Sequence, residues 1–132
     1  MKQYLLILIG LGIVLAGLFF ARFALGGSED SWIKDSRGVY IKHGNPSSIP
    51  DYVKEQQDVI LCASELYNEA KLEITQFNSQ CLGVCNGYAI DIVNVPRNND
   101  DDLVENQCEA FRNKIVNKFI ELGKEGNIVR IS

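Results

Sequence analysis

The sequence predicts an α+β fold: an amino-terminal transmembrane or signal helix, then a small antiparallel sheet packed with two helices and stapled by disulfides. Three observations lead there. Residues Leu5 to Ala21 form an uninterrupted apolar run. The chain beyond it alternates short β-branched stretches with segments of helical apolar spacing. Four cysteines, Cys62, Cys81, Cys85 and Cys108, all lie beyond residue 60.

The apolar run "LLILIGLGIVLAGLFFA" would span roughly 26 Å as a helix, close to the hydrocarbon thickness of a bilayer. It has no polar face, unlike an amphipathic helix on a soluble core. Two readings compete for residues 1–26. As a signal anchor, the run exceeds the usual signal core, and Arg22 follows as an end-of-span charge. As a signal peptide, Ala24-Leu25-Gly26 supplies small residues for cleavage after Gly26. Within the run, Gly12/Ala16 and Gly17/Ala21 place small residues four apart, a spacing that can pack helices in lipid or simply reflect apolar composition. The charges flanking the run, Lys2 and the amino terminus against Arg22, barely set an orientation. An even number of cysteines on one side of the run sets it better: two disulfides and an oxidising compartment outside the cytoplasm.

Residues 27–31 read as a linker and residues 32–132 as the extracytoplasmic domain. "WIKDSRGVYIK" reads as a hairpin, with Asp35-Ser36-Arg37-Gly38 as its turn. Ser48-Ile49-Pro50-Asp51 fits a capping box, and the first helix is expected from about 49 to 74. Its stripe is Ile49, Val53, Ile60, Ala63, Tyr67, Ala70 and Ile74, with Cys62 just beside it near Val59 and Leu66. "CLGVCNG" reads as loop, and "YAIDIVNV" as a strand at or near the centre of the sheet, stopped by Pro96. A second helix is expected from about 102 to 113, with Val104, Cys108 and Phe111 on one face. "KFIEL", "GKEG" and "NIVRI" close the chain as a hairpin, although Ile115 and Phe119 would also continue the second helix.

The chemistry-bearing residues are few. Cys62 and Cys108 fall on the two expected helices, and Cys81 and Cys85 on the loop after the first. Two structural bridges, each tying that loop to one helix, would pin the layers together; the sequence leaves three pairings open. A thiol-redox pair needs an accessible, acidic thiol, commonly in Cys-x-x-Cys at a helix start, whereas the spacing here is Cys-x-x-x-Cys. Cys81, Cys85 and His43 could instead hold copper, or the four cysteines zinc. Copper-delivery proteins of the Sco type share the Cys-x-x-x-Cys spacing and a distant histidine, but this chain lacks the prolines of that motif. His43 is the lone histidine, and no nucleophile-elbow pattern joins it to Ser47 or Ser48. Asp100, Asp101 and Asp102 lack the spacing of a calcium loop and fit a helix start.

Composition excludes some partners. The part after residue 26 holds all 17 acidic residues but only 11 of the 13 basic ones, leaving six acids in excess. Without a basic cluster, neither nucleic acid nor an anionic lipid surface is an expected partner. The expected partners are the lipid bilayer, through the first helix, and a protein of unknown identity.

The stretches "SQCLGVCNGYAIDIVNVPRNNDDDLVENQC" and "FIELGKEGNIVRI" resemble small uncharacterised archaeal proteins that join an amino-terminal apolar segment to a four-cysteine domain. The resemblance covers about residues 32 to 131 and implies a membrane-anchored or secreted protein of archaeal type, without assigning an activity or catalytic residues. Two function classes follow. One is a non-enzymatic interaction or structural module, anchored or secreted; a pilin-type filament subunit would require a basic-glycine or basic-alanine leader site, which "MKQYLL" lacks. The other is an extracytoplasmic thiol-redox or metal-handling protein using Cys81, Cys85 and His43.

Overall fold

The computed structural model describes residues 30–132, together with Gly12, Ala16 and Gly17. Apart from those three residues, the apolar run Leu5–Ala21 lies outside the described residues, as does the boundary at Gly26. Among the described residues, no helix is long and apolar enough to cross a membrane. The rest is an α+β unit with one main helix, two small sheets and two disulfides.

The chain enters through a hairpin of β1 (Ser31–Lys34) and β2 (Tyr40–His43), with Ile33 opposite Ile41. Its turn forms where Asp35 and Gly38 place it: Asp35 Oδ1 accepts the N–H of Arg37 and of Val39, and Gly38 has φ of 86°. Helix α1 (Asp51–Glu73) follows, close to the expected span. Ser48 does not cap it. Pro50 is the cap residue, and its carbonyl accepts the N–H of Val53 and Lys54 at 3.0 and 3.1 Å. The buried face of α1 is Val53, Gln56, Val59, Ala63 and Tyr67, while Ile49 lies outside the helix and is exposed.

The main sheet has the order β3-β4-β5-β6. It is mixed, a correction to the antiparallel sheet expected from sequence. Strands β3 (Gln80–Cys85) and β4 (Tyr88–Ile92) form a hairpin, as do β5 (Lys118–Leu122) and β6 (Ile128–Ile131), but β4 and β5 run parallel. Parallel neighbours need a long crossover, and residues 93–117 provide it. The second helix expected there is absent: the crossover holds two 3-10 turns, Asn99–Asp102 and Val104–Asn106, and one helical turn, α2 (Glu109–Arg112).

Alternation along the central strands sends side chains to two faces. Tyr88, Ile90 and Ile92 of β4 and Ile120 and Leu122 of β5 join Val59, Ala63 and Tyr67 of α1 in the main core. Ala89 of β4 and Phe119 of β5 form a smaller cluster with Cys108, Ala110, Phe111 and Val116 of the crossover. The sheet is therefore covered by α1 on one face and by the crossover on the other, not by the two helices expected from sequence. The first hairpin docks beside β6, where Ile131 N–H donates to the Arg37 carbonyl at 2.7 Å. Gln56, 5% exposed, bridges it to α1 by accepting the Tyr40 N–H and donating to the Gly38 carbonyl.

Candidate functional site

The sequence "QCLGVC" is a strand, not the loop expected around Cys81 and Cys85, and that strand is the structural centre of the cysteine chemistry. The signal was present in the next two residues. Asn86-Gly87, with φ of 46° and 83°, makes a two-residue turn of the kind that closes hairpins. Cys81 stands across from Asp91 and Cys85 across from Tyr88, yet the register slips between Cys81 and Gly83. In an unbroken strand, two residues four apart face the same side. The inserted residue of this bulge changes the phase, so Cys81 follows Asp91 to the crossover face while Cys85 follows Tyr88 to the α1 face.

Each cysteine is thereby delivered to a different partner. Cys85 bonds Cys62 of α1 across a Cα–Cα distance of 6.0 Å, and Cys81 bonds Cys108 of the crossover across 4.8 Å. Both distances are ordinary for disulfides. The expectation of one bridge from this stretch to each flanking element is met, with Cys108 placed at the start of the single turn α2 rather than on a longer helix. No cysteine among the described residues is free.

Beside Cys81–Cys108 the sheet carries a polar cleft of about 130 Å³. Its floor is Asp91, Phe119, Glu121 and Arg130 from the sheet, and its wall includes Arg97 and Asp101 from the crossover. Glu121, 7% exposed, directly neighbours Asp91 on the parallel strand. It is held by both guanidiniums. Arg130 Nε and Nη2 each donate to it at 3.0 Å, and Arg97 Nη1 donates to its Oε1. Arg97 also reaches Asp102 at 2.8 Å, and Arg130 lies over the Phe119 ring. Asp91 has one backbone donor, the Cys108 N–H at 3.2 Å. Burial pushes its carboxyl up to about 6; the Cys108 N–H opposes this, the Glu121 charge adds to it and the Arg97 charge subtracts.

The acidic run Asp100–Asp102 caps local structure. Asn98 accepts the Asp100 N–H, and Asp101 accepts the N–H of Asn98 and Asn94, each at 2.8 Å for Asp101. Although burial acts the other way, those N–H donors hold the Asp101 carboxyl below its ordinary value. The capping side chains thus begin at Asn98, earlier than the expected start at Asp102.

Cys81, Cys85 and His43 are not brought into one group. The two cysteines occupy opposite sheet faces, and His43 ends β2 in an exposed position. Among the described residues, one group of three metal-ligating side-chain types comes together, Cys81, Asp91 and Cys108, and its two sulfurs are bonded to each other. Sequence reasoning missed Asp91, Arg97, Glu121 and Arg130. The available signal was an acid flanked by apolar residues in each of two strands, Asp91 in "YAIDI" and Glu121 in "KFIEL", because an acid in a buried strand requires a partner. No family model matches the chain, and no curated protein or solved structure matches it either.

Proposed function

We propose that this chain is a small extracytoplasmic module, membrane-anchored through Leu5–Ala21 or secreted after cleavage following Gly26, that serves as a non-enzymatic interaction or structural domain. The observation that carries this reading is the pair of bridges that tie the two faces of one strand to two different elements. Such stapling persists in an oxidising compartment and suits a small domain with a limited core. The apolar run supports delivery to that compartment. The rival redox reading through Cys81 and Cys85 draws less support, because those residues are bonded to other cysteines rather than to each other.

Labelling of intact cells with a membrane-impermeant amine reagent, followed by fractionation, tests the proposal. Lysines of the domain should be labelled in intact cells, with the chain in the membrane fraction if anchored or in the medium if cleaved. A chain in the cytosolic fraction, protected from label and alkylating readily at its cysteines, would overturn it.

A further inference from the structure

The two bridges stand in unlike surroundings. Cys85, 2% exposed, belongs to the main core with Val59, Ile90 and Ile120, and Cys62 packs against that core. On the other face Cys108 is 1% exposed, its partner Cys81 is the more open of the two, and a carboxylate faces the bridge. Asp91 lies directly across from Cys81 on the neighbouring strand and takes the Cys108 N–H through Oδ1. One ligand atom from each of Cys81, Asp91 and Cys108 lies within 4.8 Å of the others. Asp91 also lines the polar cleft, so this group borders open space.

The geometry points to a metal site gated by the Cys81–Cys108 bridge: once a dithiol opens it, the two thiolates and the Asp91 carboxylate hold one zinc ion, with a fourth position open to the cleft. The proposal goes beyond the anchored module described above, and its donor set differs from Cys81, Cys85 and His43. Opening consumes one dithiol, which becomes a disulfide while Cys81 and Cys108 each gain a hydrogen. Binding zinc then releases both thiol protons to solvent. Two sulfurs and one carboxylate oxygen suit zinc, which takes them at about 2.3 Å and 2.0–2.2 Å in tetrahedral arrangement. The sulfurs need only part to roughly 3.8 Å, a separation set by those bond lengths. The Cys108 N–H would keep Asp91 oriented, as supporting donors do around metal ligands. Cys62–Cys85 meanwhile continues to tie β3 to α1, so the sheet keeps one staple. Thiol–disulfide exchange requires access for the attacking thiolate, which favours the more open bridge.

The test uses the full chain under limited dithiol treatment, with differential alkylation to map which thiols appear, followed by titration with zinc and with cadmium as a spectroscopic substitute. Cys81 and Cys108 should be freed before Cys62 and Cys85. One cadmium should then bind per chain, with thiolate-to-metal ultraviolet absorption and a cadmium NMR shift characteristic of two sulfurs with oxygen. Asp91→Asn should weaken zinc binding by at least about tenfold, the range seen even for residues that only support metal ligands. The cadmium spectrum of the unsubstituted chain gives the answer independently of that variant's folding. Earlier opening of Cys62–Cys85, no bound metal on the freed thiols, a spectrum of sulfur ligands alone, or unchanged affinity in a folded Asp91→Asn chain would each overturn the site.

Discussion

At Gly83 the backbone takes φ of 148°, and a Cβ added there would stand 3.3 Å from Cδ1 of Leu66 on α1. The bulge that separates Cys81 from Cys85 thus needs a residue without a side chain. Gly83→Ala should cost about 1–2 kcal/mol, more than the usual gain from restricting an unfolded glycine, as read by urea denaturation of the oxidised protein. A glycine between the cysteines was legible as a backbone turn point; that it changes the strand's facing was not, because a bulge depends on the register with β4. Asp91 provides a pH signature. Its folded-state value of about 6 lies above the ordinary 3.8, so the folded state binds this proton more tightly than the unfolded state does. Its contribution to stability is therefore fully present below about pH 4 and is lost as pH rises through 6. Asp101 acts in the opposite sense, its contribution being lost as pH falls through the carboxylate range. Asp91→Asn should flatten the stability profile between about pH 4 and 6.5, measured by denaturation at several pH values. An unchanged slope would remove Asp91 from this role. The groups facing it are Glu121 and Arg97, with Arg130 engaged on Glu121.

Among the elements, α1 and both terminal hairpins were readable because local signals and burial agree there. Apolar spacing in "YVKEQQDVILCASELYNEA" and the turns Asp35–Gly38 and Gly123–Gly126 each dictate their own geometry. At Gly126, φ is 81° and a Cβ would come within 2.6 Å of the Tyr67 ring, while Tyr67 Oη donates to the Lys124 carbonyl. The last turn is thus fitted onto α1. The crossover was misread as a helix because Val104, Cys108 and Phe111 have helical spacing. Val104 is in fact 60% exposed, Cys108 is held by its disulfide, and Asn98 and Asp101 stop the chain in short turns. The parallel pairing of β4 with β5 has no local signal, since it joins distant segments. Gln56 links the first hairpin to the rest by two hydrogen bonds from one buried amide. Gln56→Ala should cost about 1–3 kcal/mol by stranding the Tyr40 N–H and the Gly38 carbonyl. Hydrogen exchange at the Tyr40 amide should accelerate more than at β4 amides; equal acceleration would mean that the hairpin does not open as a separate unit.

For the whole molecule, the bridges close loops with sequence separations of 23 and 27 residues. Each is worth about 3.5 kcal/mol in the chain-entropy treatment, against about 5–15 kcal/mol for a typical domain. Replacing Cys62 and Cys85 by serine should lower the melting temperature more than replacing Cys81 and Cys108, because the first pair also places hydroxyls in the main core. Calorimetry of the two double variants checks the order, and the reverse order would show that the crossover bridge is the stronger constraint. The two-bridge plan was readable from an even cysteine count and their placement; the pairing was not, because it follows from a one-residue bulge. The α+β domain was legible as a class, whereas the polar cleft required strand pairing to bring Asp91, Glu121 and Arg130 together. The most direct test of the account is a disulfide map of the unreduced native chain by proteolysis and mass spectrometry. Linked peptides should join Cys62 to Cys85 and Cys81 to Cys108, with no thiol available to alkylation. A peptide joining Cys81 to Cys85, or a pair of free thiols in the native protein, would contradict it.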